Sequence, residues 1–464
     1  MKKFLVGVCA IVLMLGSILY ISLEKMNLEA QEVMADTGKI SLYSGECDHG
    51  EDIFCSQFPI ILVNTNDQEI KKNSKIWVNI SVIDRFMGNN HIEDEAQLEA
   101  LSTIKYRGNS SWFGFDKKQY RIEFYETQNQ KLGYALTGMG AHSDWVLNAP
   151  FLDRTLLRNH LMYGISREIM EWAPDTHYCE VFVNGEYMGV YLIIEPVTSG
   201  GSRLNLYPYS MASGQTSYVI NRERDSSEDN EILTYGKEKG FTSLSLSISH
   251  PGKTGLLTRQ MNWITQDVGE FERVLYSDDF ADPTDGYSKH IDVQSFVDYY
   301  IINEFAINVD AGSLSTYIYR NLGGKMKMAV WDFNNAFNNY QWEDHSYDEF
   351  YLTQTNWFDR LLCDTAFVDR VVERYLELRQ GVLSEEHLLT LIDKNVAYLG
   401  EAIDRNFEVW GYTFSEKLLS SDENGQSRDP GSYEEAIAML KETIIARGNF
   451  MDENIESLYE LCIN

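Results

Sequence analysis

The sequence predicts an α+β chain with two lobes, a β-rich N-terminal part and a helix-rich C-terminal part, preceded by an N-terminal transmembrane helix. Three observations support this fold class. Apolar and polar residues alternate in the first half, helical periodicity dominates beyond Trp357, and an unbroken apolar run occupies residues 4–21. We therefore expect an anchor at 1–23, a linker at 24–40, a β-rich module at 41–100 and the main domain at 101–464.

The composition indicates a folded and strongly acidic protein. Of its 464 residues, 39 are Lys or Arg and 70 are Asp or Glu, which gives a formal net charge of −31. Because phosphate backbones are bound by clustered cations, this charge argues against a nucleic-acid partner. Neither an HExxH pair nor a GxSxG elbow occurs, so the sequence does not support zinc-protease or serine-hydrolase chemistry of those types.

The apolar run at residues 4–21 predicts a membrane anchor. As a helix it would extend for roughly 27 Å, close to the thickness of the hydrocarbon layer. The basic pair Lys2 and Lys3 favours a cytoplasmic N-terminus, with the rest of the chain outside the cytoplasm. A cleavable signal peptide gives almost the same pattern, but no convincing Ala-x-Ala site precedes Glu29. We therefore expect an uncleaved anchor that holds an extracytoplasmic domain.

Two cysteines near the start of the β-rich module allow three interpretations. In an oxidising compartment, Cys47 and Cys55 could close a short loop as a disulfide. Together with His49 they could instead bind a metal, although no fourth ligand is visible nearby. Alternatively, both are unpaired or buried thiols.

The first half of the chain contains several strand signals. Apolar residues alternate with polar ones at 76–82, and the same pattern returns at 120–124. Residues 179–195 predict a hairpin, because Asn184-Gly185 between two apolar runs accepts the positive φ of a tight turn. Asp153 is typical of the cap residue that precedes a helix, so we expect a helix directly after it.

Polar residues stand at the ends of two strongly apolar elements farther along. A predicted helix over 293–308 ends near Asn308 and Asp310, and a predicted hairpin then returns to Asp332 and Asn334. A hairpin brings the chain back to its start, so the two polar pairs can converge. Phosphoryl transfer needs one carboxylate to orient the attacking hydroxyl and another to hold Mg²⁺. The alternative is that both aspartates serve only as turn and strand-end residues.

At this point the sequence resembles the CotH kinases, the family of spore coat protein H. The resemblance runs in order through most of the chain, from about residue 55 to 450. It includes KYRGNSSW from Lys105, KKQYRIEF from Lys117, WVLNAP from Trp145, DRTLLRNHL from Asp153, VFVNGEYMGVYLIIEPV from Val181, NEFAINVD from Asn303, and YIYRN and VWDFN up to Asn334.

The resemblance implies an atypical protein kinase fold that uses ATP and Mg²⁺ (or Mn²⁺) to phosphorylate Ser or Thr of surface or spore-coat-like proteins. Asp310 matches the catalytic aspartate, and Asp332 matches the metal-binding aspartate, with Asn334 and Asn308 as further metal ligands. The candidates for binding the nucleotide are Lys118 (with its neighbour Lys117 as a competitor), Arg107, Arg121, Arg158 and Glu195. The implied location is the cell surface or the spore envelope.

One departure from the family pattern concerns activity. Where the family often reads WDFD, this chain carries Asn334. An amide oxygen can still coordinate Mg²⁺, but one negative charge is lost. The alternatives to an active kinase are therefore a catalytically inactive protein of the cell envelope that binds a partner, and a purely structural surface protein.

Overall fold

The computed structural model describes residues 53–85, 88–222, 231–241, 246–252 and 255–462. The predicted anchor at 1–23, the linker at 24–40, and Cys47 and His49 lie outside these ranges. A disulfide between Cys47 and Cys55 therefore stays a prediction. Across the described ranges, no helix is both long enough and apolar enough to cross a membrane.

Seven strands form a closed antiparallel ring with one parallel step. Around the ring the order is β5-β3-β2-β9-β10-β8-β6, and β6 pairs again with β5. Only the pair of β2 and β9 is parallel among these described strands. The strands are β2 (Ile60–Asn64), β3 (Ile76–Ile83), β5 (Leu98–Arg107), β6 (Gln119–Thr127), β8 (Asp144–Asn148), β9 (Thr176–Val183) and β10 (Glu186–Ile194), with β7 (Gln130–Lys131) added beside β6 and a separate pair of β1 (Cys55–Ser56) with β4 (Asn90–His91).

The interior of the ring is a continuous apolar core. Alternate residues point inward, so that on β6 the side chains of Tyr120, Ile122 and Phe124 are buried. The intervening residues of β6 face outward, and Arg121 is among them. This alternation leaves the outer face of β5 and β6 available for polar chemistry.

The predicted fold class requires a correction. The described residues mix strands and helices, but they do not form the predicted two-lobed class, and the predicted transmembrane helix lies outside them. The described residues contain no helix that could span a membrane, and the β-rich part is one closed sheet. Local periodicity identifies single strands, whereas closure depends on the pairing of β2 with β9, which no local pattern encodes. The boundary at residue 100 remains a prediction, although the ring uses strands from both sides of it.

A second sheet of five strands carries the predicted second hairpin. Its order is β12-β13-β11-β14-β15, and all its pairs are antiparallel. The hairpin strands β14 and β15 lead directly into the segment that contains Asp332. The strands are β11 (Tyr218–Arg222), β12 (Glu231–Ile232), β13 (Leu246–His250), β14 (Thr316–Arg320) and β15 (Met326–Ala329).

Ten α-helices are described, and most lie in the second half. Aspartate or serine side chains cap four of them: Asp292, Asp364, Ser384 and Ser432 each accept a hydrogen bond from a backbone N–H of the first turn. The helices are α1 (Ser110–Gly114), α2 (Arg158–Ile169), α3 (Tyr235–Lys239), α4 (Thr258–Leu275), α5 (Val293–Phe305), α6 (Phe358–Leu361), α7 (Thr365–Arg379), α8 (Glu385–Leu399), α9 (Ala402–Trp410) and α10 (Tyr433–Asn454), with 3₁₀ turns at Tyr287–Lys289, Leu352–Gln354, Gly411–Ser415 and Ile455–Leu461.

Helix α5 is buried from Phe296 to Phe305 and holds the segments that follow it. A fully buried ion pair joins Glu304 of α5 to Arg447 of α10 at 2.7 Å. The Glu304 carboxylate also accepts hydrogen bonds from the backbone N–H groups of Tyr351 and Leu352, both at 2.8 Å. Arg447 in turn donates to the carbonyl oxygens of Tyr347 and Glu349. The pair thus fixes residues 347–352, which include the end of an acidic loop that spans 343–349.

Candidate functional site

A cleft of about 450 Å³ opens between the outer face of β5 and β6 and the segments that follow α5 and β15. It lies where the closed ring meets the second sheet. Both aspartates singled out in the sequence line it. The lining residues are Lys105, Arg107, Gly108, Asn109, Ser111, Phe115, Gln119, Arg121, Leu152, Asp310, Leu314, Ser315, Trp331, Asp332, Asn334, Asn335, Gln341 and Trp342.

Asp310 lies in a tight turn that follows α5. The chain leaves the helix through Ile307, whose φ of 52° is left-handed. The Asp310 carbonyl then accepts a hydrogen bond from the Leu314 N–H at 2.6 Å, which closes the turn. The carboxylate is oriented from across the cleft, because the Asn335 side chain donates to its Oδ2 at 2.9 Å. Asp310 is therefore tied to the segment that carries Asp332.

Asp332 has a left-handed backbone, with φ of 61°. Its N–H donates to the hydroxyl of Tyr163 on α2 at 2.9 Å, and its Oδ1 accepts from both the backbone and the side chain of Asn334. Among the described residues, no hydrogen bond reaches Oδ2. Burial raises the pKa of this carboxyl, while Arg107 and the Asn334 hydrogen bonds oppose that rise.

Asn308 lies behind Asp332 and is almost fully buried, with 2% exposure. Its Nδ2 donates to Asn303 Oδ1 at 2.9 Å and to the carbonyl of Asp332 at 3.3 Å. Asn303 in turn donates from its Nδ2 to the Tyr299 carbonyl, so its Oδ1 must face Asn308. This fixes the orientation of the Asn308 amide and leaves its Oδ1 buried, with no hydrogen-bond partner in the part of the chain that the structure describes.

Asp332 Oδ2 and Asn308 Oδ1 are of the oxygen types that bind a hard divalent cation, although only Asp332 lines the cleft. An unpartnered buried carbonyl oxygen is costly, and Mg²⁺ accepts neutral amide oxygens together with carboxylates. The described residues include no group of three or more His, Cys, Asp or Glu side chains placed to hold a metal. A cation at Asp332 would therefore complete its shell with water and phosphate oxygens, as Mg²⁺ commonly does.

Three cations line the opposite wall of the cleft. Lys105 and Arg107 alternate on β5, and Arg121 on β6 lies directly opposite Lys105. Like charges in directly opposed positions destabilise a sheet. Burial first, and then Arg121 and other nearby cations, lower the pKa of Lys105. Such a wall is suited to an anionic ligand.

Lys105 was missed as a site residue, although it begins the KYRGNSSW motif. The signal that could have revealed it is the alternation of β5, because residues 105 and 107 must share one face. Arg107 lines the cleft, and its guanidinium stacks over Trp331 at 4.8 Å from the ring centre. Its role in binding the nucleotide stays a prediction. Arg121 also lines it and forms an ion pair with Asp144 at 3.2 Å.

Lys118 and Lys117 point away from the cleft. The Lys118 ammonium donates to the carbonyl oxygens of Trp112 and Phe115 and thereby closes the loop around α1. Lys117 is fully buried, where it donates to the Val190 carbonyl at 2.6 Å and to Asn406 at 2.7 Å. Both lysines support loops and strands around the site and do not line it.

Arg158 lies behind the cleft. Its guanidinium contacts Asp153 at 2.6 Å and donates to the Ala336 carbonyl at 2.8 Å, which supports the segment after Asp332. Asp153 is not the cap residue expected from the sequence, because α2 begins at Arg158 and Leu157 occupies the cap position. The Asp153 carboxylate instead accepts from the Arg158 N–H at 2.8 Å.

Glu195 lies outside the cleft lining and pairs with Arg203 at 3.2 Å. Burial raises the pKa of its carboxyl, and the charges of Arg203 and Arg167 oppose that rise. Its Oε2 accepts from the Asp175 N–H at 3.1 Å, so Glu195 stabilises the end of β10.

The mouth of the cleft is bordered by aromatic and acidic side chains. Trp342 lines it and is 52% exposed. The acidic stretch that follows is partly packed down, because Asp344 accepts from the Asn338 side chain at 2.7 Å and contacts Arg428 at 3.5 Å. Glu343, by contrast, has a largely exposed side chain.

Comparison with known proteins gives one family and one curated relative. The family described as CotH kinase protein matches residues 104–451, about three quarters of the chain. The chain is also similar to the inner spore coat protein H of Bacillus subtilis (strain 168), with 26% identity over 232 residues. That alignment covers 50% of this chain and 57% of the relative, so the match spans less than two thirds of the relative's length.

Proposed function

The chain belongs to the CotH kinase protein family, and from that membership we propose that it transfers the γ-phosphoryl group of ATP to a Ser or Thr hydroxyl of a protein. Asp310 orients the acceptor hydroxyl, and Asp332 holds Mg²⁺ or Mn²⁺. The observation that carries the proposal is the cleft itself. Its carboxylates lie on one wall and its three cations on the other, within a volume suited to a nucleotide.

The acceptor side of the reaction depends on Asp310. Its carboxylate lines the cleft, where it can accept a hydrogen bond from an incoming hydroxyl. Asn335 donates to Oδ2 and restrains the side chain, so the carboxylate does not have to be ordered when the acceptor arrives. Asp310 thus acts as the positioning base of the transfer.

The nucleotide side depends on Asp332, Asn308 and the cationic wall. Asp332 would hold a divalent cation through Oδ2, and the buried Asn308 amide supports the Asp332 backbone from behind. When bound, the cation would supply positive charge against the phosphates. Lys105, Arg107 and Arg121 bind the remaining phosphate charge, and that ligand relieves the repulsion between Lys105 and Arg121.

The name of the curated relative suggests where the reaction takes place. Because that protein is described as an inner spore coat protein, we propose that this chain works in a spore envelope and acts on coat proteins there. The exposed Trp342 and Glu343 at the mouth of the cleft would contact the acceptor.

The test is phosphoryl transfer from labelled ATP by the full chain with Mg²⁺ or Mn²⁺, using a mixture of spore-coat proteins as acceptor. Asp310→Asn and Asp332→Asn are expected to abolish labelling. Asp285→Asn is the matched control, because Asp285 is an exposed carboxylate outside the cleft. Metal-dependent ATP binding without transfer would instead favour the inactive envelope-binding alternative, and neither binding nor transfer would favour a structural protein.

A further inference from the structure

We propose that four side-chain amides, those of Gln119, Asn148, Asn159 and Asn334, form a directional relay that orients the carboxylate of Asp332. This amide relay connects the outer face of the closed ring to the metal-binding segment. The proposal rests on the proposed function for its role in transfer, but the orientation of Asp332 can be measured by metal binding alone.

The direction of the relay is set at Asn159 on α2. The backbone N–H of Phe333 can only donate, and it donates to Asn159 Oδ1 at 2.8 Å. Asn159 must therefore present its Nδ2 on the other side of the amide. That nitrogen donates to Asn334 Oδ1 at 2.6 Å and to Asn148 Oδ1 at 3.2 Å. One backbone donor thus fixes how two further amides are turned.

At Asn334 this direction leads to Asp332. Since Asn334 Oδ1 is occupied by Asn159, its Nδ2 faces Asp332 and donates to Oδ1. The Asn334 backbone N–H reaches the same oxygen at 3.3 Å. Both donors hold one carboxylate oxygen, so the other is directed away from the relay. Asn334 therefore positions Asp332 and does not itself supply an oxygen to the metal.

At the other end the relay reaches the cationic wall. Asn148 Nδ2 donates to Gln119 Oε1 at 3.1 Å, and Arg107 Nη1 donates to the same oxygen at 3.4 Å. Gln119, Asn148 and Asn159 are all buried. Because each amide oxygen of the relay accepts a hydrogen bond, the network favours one arrangement of these amides. The relay therefore ties the phosphate-binding wall to the metal-binding carboxylate.

A matched pair of isosteric variants tests the relay. In Asn159→Asp the new carboxylate can still accept from Phe333 but cannot donate to Asn334, whose amide must then turn its oxygen toward Asp332. In Asn406→Asp, a buried position outside the cleft, the oxygen that accepts from the Val190 N–H and from Lys117 is kept. Both changes bury one extra carboxylate, and only Asn159→Asp touches the relay.

The readout is the affinity for Mn²⁺ of the full chain, with and without ADP, measured by electron paramagnetic resonance. We expect Asn159→Asp to weaken Mn²⁺ binding by about tenfold or more, as loss of a ligand's supporting hydrogen bond commonly does. We expect Asn406→Asp, which lies outside the relay, to stay within about twofold of the unmodified chain. In turnover, the Mn²⁺ concentration for half-maximal rate should shift, with little change in KM for ATP. Should Asn159→Asp fail to fold, Asn159→Leu removes the amide without adding charge, and the same loss is expected.

Unchanged or tighter Mn²⁺ binding by Asn159→Asp would overturn the relay, because the turned Asn334 would then be acting as a ligand. Equal losses in both variants would overturn it as well, and so would a lack of Mn²⁺ binding in the unmodified chain. Failure of the kinase proposal looks different: the unmodified chain would bind Mn²⁺ and respond to the variants as expected, yet transfer no label.

Discussion

The backbone of Asp332 adopts a strained, left-handed conformation at the site. A left-handed φ costs a residue with a side chain roughly 1–2 kcal/mol, and such strain persists mainly at functional positions. Here Tyr163, Asn308 and Asn334 hold the backbone and carboxylate together. The strained conformation directs the carboxylate into the cleft at the end of the hairpin.

A pair of substitutions can measure this strain. Because only glycine enters the left-handed region freely, Asp332→Gly should be more stable than Asp332→Ala by about 1 kcal/mol. Both variants should lose transfer. The free energies of unfolding come from urea titrations monitored by circular dichroism. Asp310, which is not among the positive-φ residues, is the control, and there alanine should be the more stable variant. The same order at both positions would contradict this account.

Lys105 allows a second test at the residue scale. Lys105→Met removes a phosphate contact. KM for ATP should therefore rise about tenfold, because one charge-assisted hydrogen bond contributes about that factor to affinity. Stability should not fall, because the substitution relieves the repulsion with Arg121. Lys131→Met is the control, since Lys131 contacts Asp144 at 3.1 Å and does not line the cleft. An unchanged KM for Lys105→Met would exclude it from the nucleotide site.

The site could be predicted from the sequence only in part. The convergence of Asp310 and Asp332 followed from the hairpin between them, and the structure brings both into one cleft. Lys118, Arg158 and Glu195 were indistinguishable in the sequence from ligand-binding residues, but each is engaged with neighbouring groups outside the cleft lining. A sequence gives the charge of a residue, whereas its direction depends on the register of strands that are distant in the chain.

At the scale of elements, the best predictions concern turns with a local cause. The hairpin of β9 and β10 turns at Asn184 and Gly185, whose φ values of 51° and 85° are both positive, as the sequence indicated. Helix α5 begins at Val293 as predicted and ends at Phe305, three residues before the expected position. Its end is set by Ile307, whose left-handed backbone has no sequence signal.

The ion pair of α5 and α10 gives a test at this scale. Arg447→Met leaves Glu304 charged, buried and without its partner, and should cost about 3–5 kcal/mol of unfolding free energy. The double variant Arg447→Met/Glu304→Gln should recover much of that loss, because no charge remains buried. Denaturant titration of both variants measures the difference. Equal losses would show that packing, and not the charge, dominates there.

The strand pair β6–β8 gives a pH test. Burial alone would raise the pKa of Asp144, but hydrogen bonding with Glu123 and the charges of Arg121 and Lys131 outweigh it and lower that pKa. A carboxyl whose pKa is lowered by folding stabilises the protein above its unfolded pKa of about 3.9, and this contribution is lost as the pH falls. Asp144→Asn should therefore be destabilised at pH 7, with a deficit that shrinks below about pH 4.

Asp359 is the control for that measurement, because burial raises its pKa in the folded protein. The sign is then reversed: its charged form opposes folding, and stability is lost as the pH rises. Asp359→Asn should gain stability relative to the unmodified chain as the pH rises through the unfolded pKa of about 3.9. Thermal melting of both variants across the pH range around this pKa measures the change in stability. If the stability of both variants relative to the unmodified chain changed with pH in the same direction, both assignments would be contradicted.

At the scale of the whole molecule, closure of the sheet determines which part of the chain can fold. Strands β2 and β3 are two of the seven strands of the ring. Without them, β5 and β9 would each expose an unpaired edge. A chain that begins at residue 101 should therefore aggregate or remain molten, whereas one that begins at residue 53 should melt cooperatively. Size-exclusion chromatography and circular dichroism distinguish the two. Cooperative melting of the shorter chain would support the predicted boundary at residue 100.

The parallel pairing of β2 with β9 also has a consequence for the time course of synthesis. Ile60 pairs with Glu180, so the first strand emerges from the ribosome 120 residues before its partner exists. At typical translation rates that delay lasts roughly 6–24 s. During this interval the apolar segment IILV is available to other nascent chains. The ring therefore leaves one edge of β2 unpaired through much of synthesis, and an unpaired apolar edge exposes the nascent chain to aggregation.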